Sequence, residues 1–127
     1  MGQMYTDLHL TNMLRGLSVD ISSALVDTGA LYLCVTEAVA AQLGFDPEEC
    51  TTKTVTLADG HQRLVPWIAP IMIAFANRTY ATEALVLGDE PLMGVLPIEA
   101  MDLVVDARKQ VITVNPAHPN EAVYKAK

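Results

Sequence analysis

Apolar residues alternating with period two, tight-turn signals between those runs and only two short helical stretches predict an all-β fold. The expected architecture is a half-barrel, meaning a partly closed barrel of short strands with two short helices beside it. A chain of 127 residues has room for one domain with a real core and not for two. No tandem repeat, low-complexity tract or interdomain linker interrupts it.

The elements follow in order. Gln3 to Leu10 sets Tyr5, Asp7 and His9 against Met4, Thr6, Leu8 and Leu10, a strand with one apolar face. Asn12 and Gly16 bracket a turn, and Leu17, Val19 and Ile21 restart the alternation. That strand runs on through Ala24-Leu25-Val26, an apolar run suited to burial on both faces, and stops at Asp27. Leu31 to Val35 is a further short strand. Thr36 then caps a helix through Leu43, with Gly44 at its C-terminal end.

Thr52 to Val65 reads as a hairpin around Ala58-Asp59-Gly60-His61, because Asp-Gly supplies the backbone that a tight turn requires. A second hairpin turns at Asn77-Arg78, with Ile71, Ile73 and Phe75 entering and Tyr80, Thr82, Ala84 and Val86 leaving. Leu92-Met93-Gly94 precedes a short helix that Pro97 opens and that continues to Leu103, since proline is tolerated in a first helical turn. Val104-Val105 and Val111 to Val114 pair around Arg108-Lys109. From Pro116 onward the chain is polar and proline-containing and reads as loosely held. The domain is therefore expected to be residues 1–115, with residues 116–127 as a C-terminal tail.

Composition excludes several function classes. A net charge of −7, with eight basic residues that never cluster, disfavours a phosphate-backbone partner, so no nucleic acid is expected. No apolar run is long enough to cross a bilayer: Ile68 to Ala76 is short and broken by Pro70. No basic segment leads into an apolar one at the N-terminus, so a cytoplasmic chain with reduced Cys34 and Cys50 is the default. Met1-Gly2-Gln3-Met4-Tyr5-Thr6 matches the loose acylation pattern, yet Gln3 to Leu10 reads better as the first strand. His9, His61 and His118 lie far apart without ligand spacing, so neither a metal nor another cofactor is expected. Apolar residues make up 51% of the chain, rich for so small a domain, which suggests apolar surface buried against a partner.

The chemistry points to Asp27-Thr28-Gly29-Ala30. A carboxylate there sits where a strand ends and glycine lets the backbone turn, while the neighbouring threonine hydroxyl can stiffen the turn. By itself the tripeptide is an ordinary strand-to-turn junction. Its surroundings raise its meaning: Leu25-Val26-Asp27-Thr28-Gly29-Ala30, then a strand and helix, then a candidate hairpin lid, then Leu92-Met93-Gly94 before a short helix. That order resembles the retropepsin-like aspartic proteases, the single-domain branch that includes retroviral proteases and many bacterial members. The resemblance runs from about Met4 to Asn115. Leu43-Gly44 and Leu103-Val104-Val105-Asp106 have the flavour of its bacterial members. Two other aspartate motifs do not fit. One needs lysine after the aspartate, where Thr28 stands, and the other a second aspartate at the position of Gly29.

The resemblance implies an aspartic endopeptidase in which one Asp27 from each of two identical chains forms the catalytic pair. Thr28 would lock the two loops across the dimer, and Gly29 would offer its carbonyl to the backbone of a peptide or unfolded protein substrate. Gly94 would pass beneath the Asp loop. Ala30 and the lid residues Ala58, Asp59 and Gly60 are then the substrate-binding candidates. The lid departs from the retroviral pattern, because it offers Gly60 alone, flanked by Asp59 and His61, and lacks the tyrosine of pepsin flaps.

Other residues take plainer readings. Trp67 reads as a packing or interface aromatic rather than a substrate platform; Met72, Met93 and Met101 are core fillers. Cys34 has no histidine beside it in sequence to activate a thiol nucleophile. Asp20, Asp102 and Asp106 read as surface or capping residues. Two alternatives remain open at this level. One is a dimeric module of the same fold that binds peptides without efficient turnover. The other is a monomeric barrel with a coincidental turn motif, which explains the high apolar content poorly.

Overall fold

A computed structural model describes residues 3–126; Met1 and Gly2 of the acylation pattern lie outside the described residues. Nine strands and two short helices make the chain mostly β among those residues. β1 (Met4–Asn12) and β2 (Ser18–Val26) form an antiparallel pair with a register shift between Thr6 and Leu8. Met4, Leu8 and Leu10 point into the core while Tyr5, Asp7 and His9 face out, as the alternation predicts. The turn between them is closed by Asn12, one of two buried polar residues among those described. Its side-chain oxygen accepts the Leu14 N–H at 3.0 Å, and its amide donates to the Leu43 carbonyl at 2.8 Å.

β3 (Leu33–Val35) leads to α1 (Glu37–Gln42), where the Thr36 hydroxyl accepts the Val39 N–H at 3.2 Å. The helix ends in a Schellman arrangement: Phe45 N–H donates to Ala40 O and Gly44 N–H to Ala41 O. Gly44 adopts φ +85°, a left-handed backbone that favours glycine, and a Cβ there would also push the Leu17 methyl, 2.7 Å away, aside.

β4 (Thr52–Thr56) and β5 (Gln62–Phe75) form the first hairpin. The sequence reads a break between this hairpin and the next. Instead β5 is a single strand of 14 residues serving both. Its first part pairs with β4 and its second with β1 and with β6 (Arg78–Val86). The β5–β6 register shifts between Ile68 and Ile71, a stretch where Pro70 brings no ladder donor. β7 (Leu92–Met93) precedes α2 (Val95–Ala100), and β8 (Leu103–Asp106) pairs with β9 (Val111–Val114) as a separate two-stranded sheet. The second helix thus starts two residues before Pro97 and stops short of Leu103. Pro97 occupies the third helical position, where an N–H has no intrahelical acceptor anyway, and Asp102 at φ +55° breaks the helix.

The larger sheet has the order β1-β2-β7-β3-β6-β5-β4, and the β1–β5 pairing closes it into a ring-like arrangement from which β4 extends. Leu10, Leu33, Val35, Ile71, Ile73, Ala84, Met93 and Met101 fill the interior. Met93 and Met101 are fully buried, Met72 only partly. No described helix is long and apolar enough to cross a membrane.

The segment after Pro116 is held more firmly than its composition suggests. Arg78, 2% exposed, donates from Nε to the Met101 carbonyl at 3.0 Å and from Nη2 to the His118 carbonyl. The Asn77 amide donates to the carbonyl of Pro119, and Tyr124 Oη to that of Ala100. Asp102 is the hub rather than a cap: its carboxylate accepts the Val123 N–H (3.1 Å) and the Asn115 amide (3.1 Å) and meets His118 Nδ1 at 2.7 Å. Sequence spacing carries no sign of this, because the partners come together only through tertiary structure.

These bonds, the Val123 N–H first, hold the Asp102 carboxyl down at about 2. A depressed carboxyl contributes its stabilisation in full above its ordinary pKa near 4 and loses it as the pH falls through the depressed value. The Val123 amide resonance should therefore be constant from pH 7 to about 4 and titrate with a midpoint near 2. A midpoint near the ordinary value would mean that the tail does not hold this carboxyl.

Candidate active site

Asp27 is placed by main chain on both sides. β2 and β7 run parallel, Leu25 beside Leu92 and Val26 beside Met93, and β7 lies antiparallel to β3 on its other edge. The Asp27 N–H donates to the Met93 carbonyl at 3.1 Å, and its own carbonyl accepts the Ala30 N–H at 3.2 Å. The carboxylate Oδ1 accepts the Gly29 N–H at 2.9 Å, which fixes the side-chain orientation. Asp27 is half-buried, whereas Thr28 and Gly29 are exposed. The Thr28 hydroxyl makes no hydrogen bond with another described residue, so its donor and acceptor are free for a group outside the chain.

Gly94 makes this geometry possible. Its N–H donates to the Tyr32 carbonyl at 3.0 Å, and the next two N–H groups, of Val95 and Leu96, donate to Ala30 and Leu31 at 2.8 and 3.0 Å. A Cβ on residue 94 would fall 2.5 Å from the Leu31 carbonyl carbon and 2.7 Å from Ala30 O. Those are rigid backbone atoms, so only glycine lets the two segments cross. At Gly29 an added Cβ would stand 3.2 Å from Asp27 Oδ1, so this glycine serves the carboxylate rather than an unusual φ.

Cys34 lies beside the loop. Burial first, and the Asp27 carboxylate second, push its thiol up to about 11. The thiol is therefore protonated at neutral pH, in line with the absence of an activating histidine in sequence. Both cysteines are free thiols, and no three metal-ligating side chains are grouped among the described residues.

A cavity of about 330 Å³ opens beside Asp27 and Thr28. Gln3 just before β1, Met4 at its start, and Val105, Ala107 and Gln110 from the β8–β9 hairpin are among the residues that complete its walls. These five residues lie far from Asp27 in sequence, and nothing local in the sequence joins them to it.

The lid candidates stand on a different element. Ala58, Asp59 and Gly60 form the exposed tip between β4 and β5, closed by Leu57 N–H to His61 O at 2.8 Å, with Gly60 at φ +88°. Asp59 accepts the His61 N–H at 2.9 Å and meets His61 Nδ1 at 2.9 Å, a pairing that lowers its pKa. The tip is thus a self-satisfied polar turn. None of its residues lines the cavity at Asp27, so within one chain the structure brings Asp27, Thr28, Gly29 and Ala30 together and leaves Ala58, Asp59 and Gly60 apart.

The chain matches the family model described as aspartyl protease over residues 13–96, which includes the Asp27 loop, the hairpin and Gly94. No curated protein matches it. Among solved structures it is similar to a retropepsin-like aspartic protease from Rickettsia conorii, at 21% identity and a TM-score of 0.61. That likeness covers 83% of this chain and 77% of the other, and at such identity it is a likeness of fold.

Two measurements probe this geometry. Gly94→Ala should destabilise the chain by about 2 kcal/mol or more, as forced overlap with backbone does, read by denaturant unfolding. A loss below about 0.5 kcal/mol would mean that the two segments do not cross closely. In a Cys50→Ser background, alkylation against pH should give a Cys34 pKa near 11. Asp27→Asn should lower that pKa while leaving it above 9.0, because burial is the larger cause.

Proposed function

The chain belongs to the aspartyl protease family, with a retropepsin-like fold, and from that premise we propose that two copies assemble into one peptidase. In this reading each copy contributes one Asp27. The observation that carries it is the Asp27 loop: a carboxylate fixed by the Gly29 N–H, anchored through Met93 O, half-open to a cavity, and present once per chain.

Hydrolysis of an amide needs a base to activate water and an acid for the carbonyl oxygen and leaving nitrogen. Two carboxyls about 3 Å apart cannot both ionise, so the pair shares a proton, one member acting as base and the other as acid. Water loses a proton to the ionised carboxyl as its oxygen bonds to the carbonyl carbon. The protonated carboxyl gives its proton to the carbonyl oxygen. Collapse of the tetrahedral species breaks the C–N bond, and the nitrogen leaves with a proton from the pair. Because the pair titrates as a unit, neither carboxyl has a private role in a symmetric site.

The rest of the reading follows from one carboxylate per chain. A two-fold dimer brings two Asp27 side chains face to face, with Thr28 meeting its counterpart through a hydroxyl that has no partner among the described residues of its own chain. A substrate peptide lies extended across both loops, its main chain paired to strand edges, with Gly29 O and Ala30 against its backbone. The Ala58-Asp59-Gly60 tip closes over it, and Gly60 supplies freedom at the turn. The Asp59–His61 pair at that tip favours the second reading, a dimer that holds peptides without efficient turnover.

Asp27→Asn keeps an oxygen for the Gly29 N–H, so the fold should survive within about 1 kcal/mol. Cleavage of unfolded substrates at mildly acidic pH should fall by about 10²-fold or more. Specific activity should also drop on dilution through the dimer–monomer range, followed by sedimentation. Cleavage that survives the substitution removes Asp27 from the mechanism. Activity proportional to protein down to pure monomer removes the shared site. Peptide binding by a dimer without any cleavage selects the second reading.

A further inference from the structure

A larger opening, about 510 Å³, lies away from the cavity at Asp27, between the segment leaving the Asp27 loop and the base of the β4–β5 hairpin. One wall is Tyr32 and Leu96, 40% and 41% exposed. Both belong to the crossing that seats Asp27: Tyr32 O accepts the Gly94 N–H, and Leu96 N–H donates to Leu31 O. The other wall carries Trp67, Tyr80 and Pro70. Trp67 N–H donates to Thr51 O at 2.9 Å, just where β4 begins, so this wall is continuous with the hairpin.

Glu83 is the one charged residue among those that line the opening, and it is already paired, with Lys53 Nζ 2.6 Å away. The same ammonium lies 4.0 Å from the centroid of the Trp67 ring. Lys53 therefore neutralises the carboxylate and covers one face of the indole. The indole N–H is itself buried and has no acceptor among the described residues. The pocket thus offers three aromatic rings and two prolines, Pro70 and Pro97, with no unpaired charge.

We propose that this pocket is a specificity site for the peptide, taking a bulky, neutral and preferably aromatic side chain at a position removed from the bond that is cut. The inference rests on the protease reading for its occupant. The pocket joins the two elements that flank the proposed cleft, and an extended peptide sends alternate side chains to one face. Ring walls reward a ring by edge and face contacts beyond simple area. A charged side chain would be desolvated there without a partner, since Glu83 is taken. Trp67 is then more than a packing residue: it is the floor against which the substrate is read.

Trp67 is the only tryptophan in the chain, so its emission reports on this pocket alone. Asp27→Asn protein would be titrated with tryptophan-free peptides carrying Phe, Leu, Lys or Asp at each position in turn, and wild-type protein assayed for cleavage of the same set. At one position away from the cut, Phe should shift the Trp67 emission and be favoured over Lys by about tenfold in kcat/KM. Tyr32→Ala should shrink that preference and Leu96→Glu should turn it toward Lys. Both positions are exposed, so the variants should fold. If wild-type protein cuts the peptides while Trp67 stays silent and the preference is the same in both variants, the pocket proposal is overturned and the Asp27 reading stands. If Trp67 responds selectively to Phe while Asp27→Asn still cleaves, the catalytic reading fails and the pocket remains a peptide-binding site. Silence toward every peptide from a protein that cuts none sinks both.

Discussion

Three backbone segments crossing within van der Waals range constrain this structure more than any side chain does. β7 is wedged between β2 and β3, parallel to one and antiparallel to the other. Gly94 then passes under Ala30, Leu31 and Tyr32 at distances no Cβ permits. The N–H groups of Gly94, Val95 and Leu96 and the carbonyl of Met93 are all satisfied by this crossing. Asp27 thus inherits its position from main-chain bonds that cannot relax independently. That is the preorganisation a carboxylate needs if it is to act in chemistry rather than merely cap a turn.

Much of this was legible in the sequence because it is local. Alternation gave β1 and β2, Thr36 and Gly44 marked both ends of α1, and Asp59-Gly60 marked the hairpin tip. Leu25 to Ala30 could be read as a strand ending in a tight carboxylate loop, and the order of elements around it resembled one protease family, to which the chain does belong. Where sequence reasoning fell short, the cause was tertiary. The alternation reads as one hairpin ending at Val65 and another entering at Ile71, yet Pro66 and Pro70 are accommodated within the single strand β5. The second helix was placed two residues late because Pro97 tolerates the third helical position as well as the first.

Asp102 shows the same limit. Its sequence neighbours suggest a surface cap, and only folding brings Asn115, His118 and Val123 around its carboxylate. Arg78 completes that corner with a buried guanidinium that meets backbone carbonyls rather than an acid. Hydrogen bonds to charged groups are the stronger kind, which explains how a short polar segment stays attached without an apolar face of its own. The cavity walls beside Asp27 come from distant parts of the sequence for a related reason: β1 starts and the β8–β9 hairpin turns next to the same loop.

The unbroken β5 also governs how this fold can vary. Its first five residues belong to the hairpin ladder with β4, and its remainder to the ring with β1 and β6. Adding or deleting residues around Ala58 to His61 alters only a solvent-facing loop, so the hairpin is free to diverge in length and reach. A one-residue change between Pro66 and Pro70 would instead turn every later side chain of the strand to the opposite face and empty Ile71 and Ile73 from the core. Descendants of this chain can therefore vary the hairpin tip while the seat of the carboxylate stays fixed.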